Sequence, residues 1–184
     1  MADYKVSYRY ANSLLDLALE KKMIDSISSD MEFLQKTLKE NPALKRALSN
    51  PVIKSHLKIK LIDEIFKDKV DNETIGYLKF LVKKGRENLL DNIVSAFLEI
   101  KDDHLGIANV EVVVASQLSG EQIESLRKKF EAYLNKKVRL NIIIDEKIIG
   151  GFVAKVKDTV FDASIRHQLQ LLKKQLIQGG AILN

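Results

Sequence analysis

The chain of 184 residues has no cysteine, no tryptophan and only two prolines. Without cysteine, disulfides, thiolate zinc sites, iron–sulfur clusters and thiol catalysis are all excluded, and the sequence carries no sign of its redox compartment. Long apolar runs are also missing, because no stretch approaches the roughly 20 apolar residues that a membrane-spanning helix needs. The opening residues 1–5 are polar and unlike a secretory signal. These observations predict a soluble, intracellular globular protein.

Charge is distributed unevenly along the chain. Residues 1–105 hold 18 basic and 17 acidic side chains, whereas residues 106–184 hold 12 basic and 8 acidic ones, so the second part carries a net charge of +4. A nucleic-acid-binding protein would have larger basic clusters with interleaved aromatic residues. A solvated, basic surface is therefore favoured, and nucleic-acid binding through the second part stays open as the weaker alternative. The basic clusters are Arg127-Lys128-Lys129, Lys136-Lys137-x-Arg139 and Lys173-Lys174.

Apolar residues recur at helical spacing throughout residues 1–105. The spacing predicts six helices, at about 4–19, 24–39, 42–48, 55–66, 72–84 and 86–103. Pro42 and Pro51 interrupt the pattern, Asp71 or Asn72 is placed to cap the fifth helix, and Gly106 ends the sixth. The short connections predict a compact helical bundle as the first domain.

The pattern changes to alternation after Gly106. Residues 107–115 and 138–144 alternate as β-branched strands, while residues 151–156 and 159–161 form a predicted hairpin around Lys157-Asp158. Ser119 and Gln122 form a capping box before one helix, and Asp162 is placed to cap the last helix. The order β-α-β-β-β-α predicts a small α+β domain over residues 106–184, with both helices on one side of a sheet.

Motifs for catalysis or metal binding are not found. His56, His104 and His167 lack metal-ligand spacing, and the adjacent acidic pairs point in different directions on helices or lie in a turn. Gly150-Gly151 leads into a strand, which indicates a bulge or a close backbone approach rather than a phosphate loop. The sequence thus predicts a protein that is not an enzyme and that holds neither a cofactor nor a metal ion.

The first helix offers a possible binding surface. Its apolar stripe is too wide for one narrow seam, because Tyr8, Tyr10, Leu14 and Leu15 cannot all face the same neighbour. A six-helix bundle buries wide stripes in its own core, and that simple interpretation is favoured by the pattern alone. The functional interpretation is a groove that accepts an amphipathic helix from a partner, as an adaptor of a larger assembly would.

Four motifs, in order along the whole chain, resemble the delta subunit family of F-type ATP synthases, whose mitochondrial relative is the oligomycin-sensitivity-conferring protein. The glycine-anchored C-terminal pair is the most specific. One position departs from the family pattern, because Lys157 stands where a glycine is common before the hairpin aspartate, which leaves the tightness of that turn open. The motifs are Arg9-Tyr10-Ala11-x-x-Leu14-Leu15-x-Leu17-Ala18, Leu81-Val82-x-x-Gly85-Arg86-x-x-Leu89-Leu90, Ile144-Asp145-x-x-Ile148-Ile149-Gly150-Gly151-Phe152 and Asp158-x-x-Phe161-Asp162-Ala163-Ser164-Ile165-x-x-x-Leu169.

The resemblance implies a non-catalytic peripheral-stalk subunit on the cytoplasmic face of the cell membrane. The helical domain would bind the N-terminal helix of an alpha subunit in a groove between its first and fifth helices. The C-terminal domain would contact the C-terminal ends of the b subunits, with Leu169, Leu172 and Leu176 as candidates. The expected groove residues are Tyr10, Ala11, Leu14, Ile75, Leu78 and Val82.

Overall fold

A computed structural model describes residues 2–179 of the chain. It divides the chain into two compact units, one ending at His104 and the next beginning at Leu105. The predicted boundary, between residues 105 and 106, lies one residue further along. The α+β class, with a helical bundle followed by a small mixed unit, is confirmed.

The first unit is the six-helix bundle that the apolar spacing predicts. Helix α1 packs mainly on α6, α2 also packs on α6, and α4 packs on α5. The predicted sixth helix begins as a 3₁₀ turn rather than as an α-helix. The elements are α1 (Ala2–Glu20), α2 (Ile24–Glu40), α3 (Pro42–Ser49), α4 (Ser55–Phe66), α5 (Asn72–Lys83), the 3₁₀ turn Glu87–Leu89 and α6 (Leu90–His104).

The bundle core is apolar, and polar links fix helix ends around it. Fully buried side chains such as Phe66 and Phe97 each stabilise the fold by about 1.5–3 kcal/mol. Asp71 caps α5 by accepting the N–H of Glu73, as predicted. The buried carboxylate of Asp30, on α2, accepts hydrogen bonds from the Asp71 N–H at 2.9 Å and the Thr74 hydroxyl at 2.6 Å. The start of α5 is therefore tied to α2.

The second unit is a four-stranded sheet in the order β2-β1-β3-β4. Strands β1 and β2 are parallel, which requires a crossover, and α7 supplies it. Strands β3 and β4 continue the sheet as antiparallel neighbours. The predicted capping box of Ser119 and Gln122 opens α7. The elements are β1 (Ile107–Val114), α7 (Gly120–Leu134), β2 (Lys137–Ile144), β3 (Phe152–Val156), β4 (Thr159–Asp162) and α8 (Ile165–Gly179).

Among the described helices of this unit only α7 packs on the sheet, so the prediction of two helices on one side is wrong for α8. Phe130 of α7 packs edge-on against Phe152 and Phe161, with ring centroids 6.3 and 6.1 Å away. The described side chains of α8 from Ile165 to Ile177 are all exposed, apart from a half-buried His167. Helical periodicity shows that a helix has an apolar stripe, but it does not show what that stripe packs against.

The chain entering α8 is held by a glycine pair and a serine cap. The N–H of Ile165 donates to the Gly150 carbonyl at 3.0 Å. A Cβ at Gly151, where φ is +78°, would lie 2.3 Å from the Ala163 oxygen, so only glycine allows this approach. Ser164 caps α8 by accepting the His167 N–H, which corrects the prediction that Asp162 is the cap. Asp162 instead accepts the N–H of Ser164.

Candidate partner-binding surfaces

Side-chain contacts link α1 and its end to α5 at two places in the first unit. Lys21, which directly follows α1, forms a 2.6 Å ion pair with Glu73 in the first turn of α5. Near the middle of both helices, the Tyr77 hydroxyl of α5 donates to the Tyr10 carbonyl oxygen at 2.9 Å. Burial raises the pKa of Tyr77 well above its ordinary value, and the nearby Tyr10 raises it further, so the hydroxyl stays a neutral donor.

An apolar surface, here called the α1–α5 strip, runs between these helices. Tyr10 and Leu17 are half-buried and share one face of α1, since they lie seven residues apart. The Phe80 ring is 41% exposed and lies 6.1 Å from the Tyr10 ring and 6.3 Å from the Tyr77 ring. A Cβ added at Gly76 meets no atom within 4 Å. The strip is defined as Tyr10, Leu17, Gly76 and Phe80, and the buried Tyr77 supports it from below.

The structure places the predicted groove residues mainly beneath this strip. Tyr10 is half-buried on the strip, but the other five, Ala11, Leu14, Ile75, Leu78 and Val82, are buried at 0%, 0%, 6%, 1% and 2% exposure. These five side chains support the two helices from the core side. Their assignment as partner-binding residues stays a prediction, and the exposed surface next to them consists of other residues.

The apolar spacing did not identify Gly76 and Phe80 as surface residues. The sequence did contain an indication at Gly76, which lies inside the predicted fifth helix. A glycine there lowers the stability of the helix by about 1 kcal/mol relative to alanine, so its presence often has a packing or functional reason. Open space above a helix backbone is where another helix approaches closely. Lys84 lies 5.6 Å from the centroid of the Phe80 ring and adds a cation beside the strip.

The second candidate surface is α8, which carries the predicted stalk-contact residues. Leu169, Leu172 and Leu176 are 57%, 51% and 69% exposed and share one face with Ile165. The helix contains Arg166, Lys173 and Lys174 and no acidic residue. Its surface is therefore apolar on one face and basic elsewhere, and the rest of its own unit does not cover it.

An aromatic cavity of about 450 Å³ lies beside the start of α8. Its size and mostly apolar lining are suited to an apolar side chain. Tyr133 stands at its mouth, with its ring 5.2 Å from Phe161. The lining residues are Leu126, Lys129, Phe130, Tyr133, Phe152, Phe161, Asp162 and Ala163.

Two kinds of functional feature are absent from the described residues. Within residues 2–179, no group of three or more His, Asp or Glu side chains is arranged to hold a metal ion. Across the same span, no helix is both long and apolar enough to cross a bilayer. The surfaces above are suited to binding other polypeptides.

Comparison with known proteins identifies the family. The family model for the "ATP synthase delta (OSCP) subunit" matches residues 6–176. The ATP synthase subunit delta of Chlorobaculum parvum is 38% identical over 181 residues, covering 98% of this chain and all of that protein. The subunit delta of Chlorobaculum tepidum is 36% identical over the same length.

Structural comparison agrees at the level of the fold. A chain of the mitochondrial ATP synthase hexamer of Toxoplasma gondii superposes with a TM-score of 0.72 at 20% identity, covering 93% of this chain and 97% of that one. The family resemblance carried by the four sequence motifs is thereby confirmed. This chain belongs to the ATP synthase delta (OSCP) subunit family.

Proposed function

We propose that this chain is a non-catalytic peripheral-stalk subunit of an F-type ATP synthase, which acts as part of the stator on the cytoplasmic face of the cell membrane. Family membership supports the assignment. The observation that carries it is the presence of two exposed apolar surfaces, the α1–α5 strip and α8. The chain works by holding two partners together.

The α1–α5 strip binds the amphipathic N-terminal helix of an alpha subunit. Tyr10 and Phe80 provide aromatic contact area, which contributes strongly at interfaces. Gly76 lets the backbone of a visiting helix approach α5. Burying apolar surface is favourable by about 25 cal/mol per Å² before the costs of association are subtracted. A slowly released helix in this position would resist the torque that turns the catalytic head.

Helix α8 binds the C-terminal ends of the b subunits. Leu169, Leu172 and Leu176 supply the apolar face for a helical partner, while Arg166, Lys173 and Lys174 favour acidic side chains around it. The Gly150-Gly151 clamp and the Ser164 cap fix the start of the helix, so α8 is presented to the partner without a hinge at its root. Preorganisation of this kind reduces the entropy lost on binding.

Titration of the full chain with a peptide of the alpha N-terminus tests the strip. Gly76→Leu fills the open space, so we expect binding to weaken at least about tenfold, equivalent to 1.4 kcal/mol. The substitution also replaces glycine with a better helix former, so the free energy of unfolding should not fall. Loss of binding is thereby separated from loss of folding.

Two further variants act as controls. Gly76→Ala is small enough to leave binding nearly unchanged while stabilising α5. Gly120→Leu makes the matched change at the start of α7, where a Cβ also meets no atom within 4 Å, and should leave alpha-peptide affinity as in the wild type. Equal binding by the wild type and Gly76→Leu would show that the peptide does not use this strip.

A further inference from the structure

Strand β2 forms an open edge of the sheet in the second unit. The N–H of Lys137 donates to the Gly106 carbonyl, and the N–H of Asp145 donates to the Val114 carbonyl, so odd-numbered amides point toward β1. Because strands alternate with period two, the amides and carbonyls of Leu140, Ile142 and Ile144 point away from β1. No other strand among the described residues pairs with this side of β2.

Within the part of the chain that the structure describes, the edge is protected only at its beginning. There, the Glu131 carboxylate of α7 accepts the outward N–H of Val138 at 3.2 Å. Beyond this point β2 lacks the usual blocking devices, since Leu140 to Ile144 contains no proline and no charged residue. Ile143 and Ile144 are 40% and 54% exposed. An unpaired, apolar strand edge is a template for pairing with another extended chain.

A basic cleft of about 920 Å³ follows the first half of the same edge. Arg127 of α7 and the β2 side chains Lys137 and Arg139 line it with Lys136. Two acidic residues also line the cleft. Glu124 forms an ion pair with Arg127 at 2.7 Å, and the Glu131 carboxylate accepts the N–H of Val138. Cations therefore exceed anions around the cleft, four to two.

We propose that the β2 edge binds an extended, acidic segment of a partner protein, which adds to the sheet as a fifth strand. Only an extended chain can satisfy the outward amides and carbonyls of Leu140, Ile142 and Ile144, because a helix uses its own backbone groups internally. Acidic side chains beside Lys137 and Arg139 gain from the local excess of positive charge. The specificity is thus for alternating acidic and aliphatic residues.

A second copy of this chain is the less suitable occupant. Residues 106–184 carry a net charge of +4, so pairing two β2 edges brings two basic clefts together. Like charges that face each other across strands are destabilising. The β2 edge lies in the second unit and takes no part in the proposed binding of the alpha subunit. Binding at the β2 edge therefore does not depend on the proposed role of the α1–α5 strip.

Nuclear magnetic resonance on the full chain tests the proposal with a capped eight-residue peptide of alternating glutamate and valine. We expect the amide signals of Leu140, Ile142 and Ile144 to shift and their hydrogen exchange to slow on peptide binding. A peptide of alternating lysine and valine should produce neither effect. Lys137→Glu should weaken binding about fivefold, because it replaces an attraction with a repulsion.

Lys147→Glu is the matched control, since it makes the same charge change in the turn after β2, away from the cleft, and should leave the affinity unchanged. The proposal is overturned if millimolar glutamate–valine peptide leaves the three amides unaffected, or if Lys137→Glu and Lys147→Glu weaken binding equally. It is also overturned if the chain without peptide sediments as a dimer that Ile144→Pro dissociates, because the edge then serves self-association.

Discussion

At the scale of single residues, the hairpin between β3 and β4 explains the one departure from the family pattern. Lys157 has a φ of +51°, in the left-handed region, although it is not glycine. The two-residue turn Lys157-Asp158 forms nevertheless, because the strand pairing on both sides dictates its geometry. A glycine at this position would adopt the same backbone without the steric cost of a Cβ.

Lys157→Gly should therefore stabilise the chain by about 1 kcal/mol. Urea denaturation of the full chain measures this difference in the free energy of unfolding. Lys157→Ala is the control, because it removes the long side chain but keeps the Cβ, and it should show no such gain. If the alanine variant is stabilised as much as the glycine variant, the lysine side chain and not its backbone conformation is the cause.

The start of α8 also depends on single residues. The Ser164 hydroxyl and then the Ser164 N–H lower the pKa of the exposed Asp162 carboxyl below its ordinary value of 3.8. Because the pKa is lower in the folded state, the ionised Asp162 carboxyl contributes to the stability of the folded chain. This contribution is complete above the ordinary aspartate pKa and is lost as the pH falls through the lower, folded-state pKa. The entry to α8 is therefore acid-sensitive only at low pH.

An NMR titration of the Asp162 carboxyl should show a pKa below the ordinary aspartate value in the wild type. In Ser164→Ala the hydroxyl bond is lost, so the Asp162 pKa should rise toward the ordinary value. Ala163→Ser, which leaves the Ser164 contacts in place, should keep the low value. An unchanged Asp162 pKa in Ser164→Ala would rule out the hydroxyl as the main cause.

At the scale of elements, exposure distinguishes α8 from the other helices. Leu172 is 51% exposed, so Leu172→Asp should leave the thermal midpoint of unfolding nearly unchanged. The same substitution places a charge on the apolar face of α8, and we expect binding to a soluble b-subunit fragment to weaken at least about tenfold. Surface plasmon resonance with the full chain measures the loss.

Gln170→Asp is the matched control for this helix. It adds the same charge about half a helical turn away, on the opposite face of α8. Binding to the b fragment should then remain close to that of the wild type. Similar losses in both variants would show that the added negative charge, and not the leucine face, determines the result.

Periodicity predicted the existence of most elements but not the environment of each apolar face. The six helices, the strands β1 and β2 with the capped α7 between them, and the β3–β4 hairpin follow from apolar spacing and capping residues. The parallel pairing of β1 with β2 was not predicted. The exposure of α8 could not be predicted from the sequence, because leucines at the spacing of Leu169 and Leu172 also occur on helices that pack into a core. Phe80 of the strip was likewise missed, because Leu78 and Phe80 are both apolar while only Phe80 reaches the surface.

At the scale of the whole molecule, the two units carry different surfaces. The unit that ends at His104 presents the α1–α5 strip, and the unit that begins at Leu105 presents α8 and the β2 edge. The second unit also holds most of the net positive charge. A connector needs this division, because each partner can then bind its own unit without competing for one site.

The central claim is that one chain joins the catalytic head to the stalk, and a three-component sedimentation experiment tests it most directly. Purified head complex and a soluble b fragment are mixed with or without this chain. We predict co-sedimentation of the b fragment with the head only when the chain is present. Gly76→Leu should retain the b fragment but lose the head, and Leu172→Asp should do the reverse. If the wild-type chain leaves the head and the b fragment sedimenting separately, the account is contradicted.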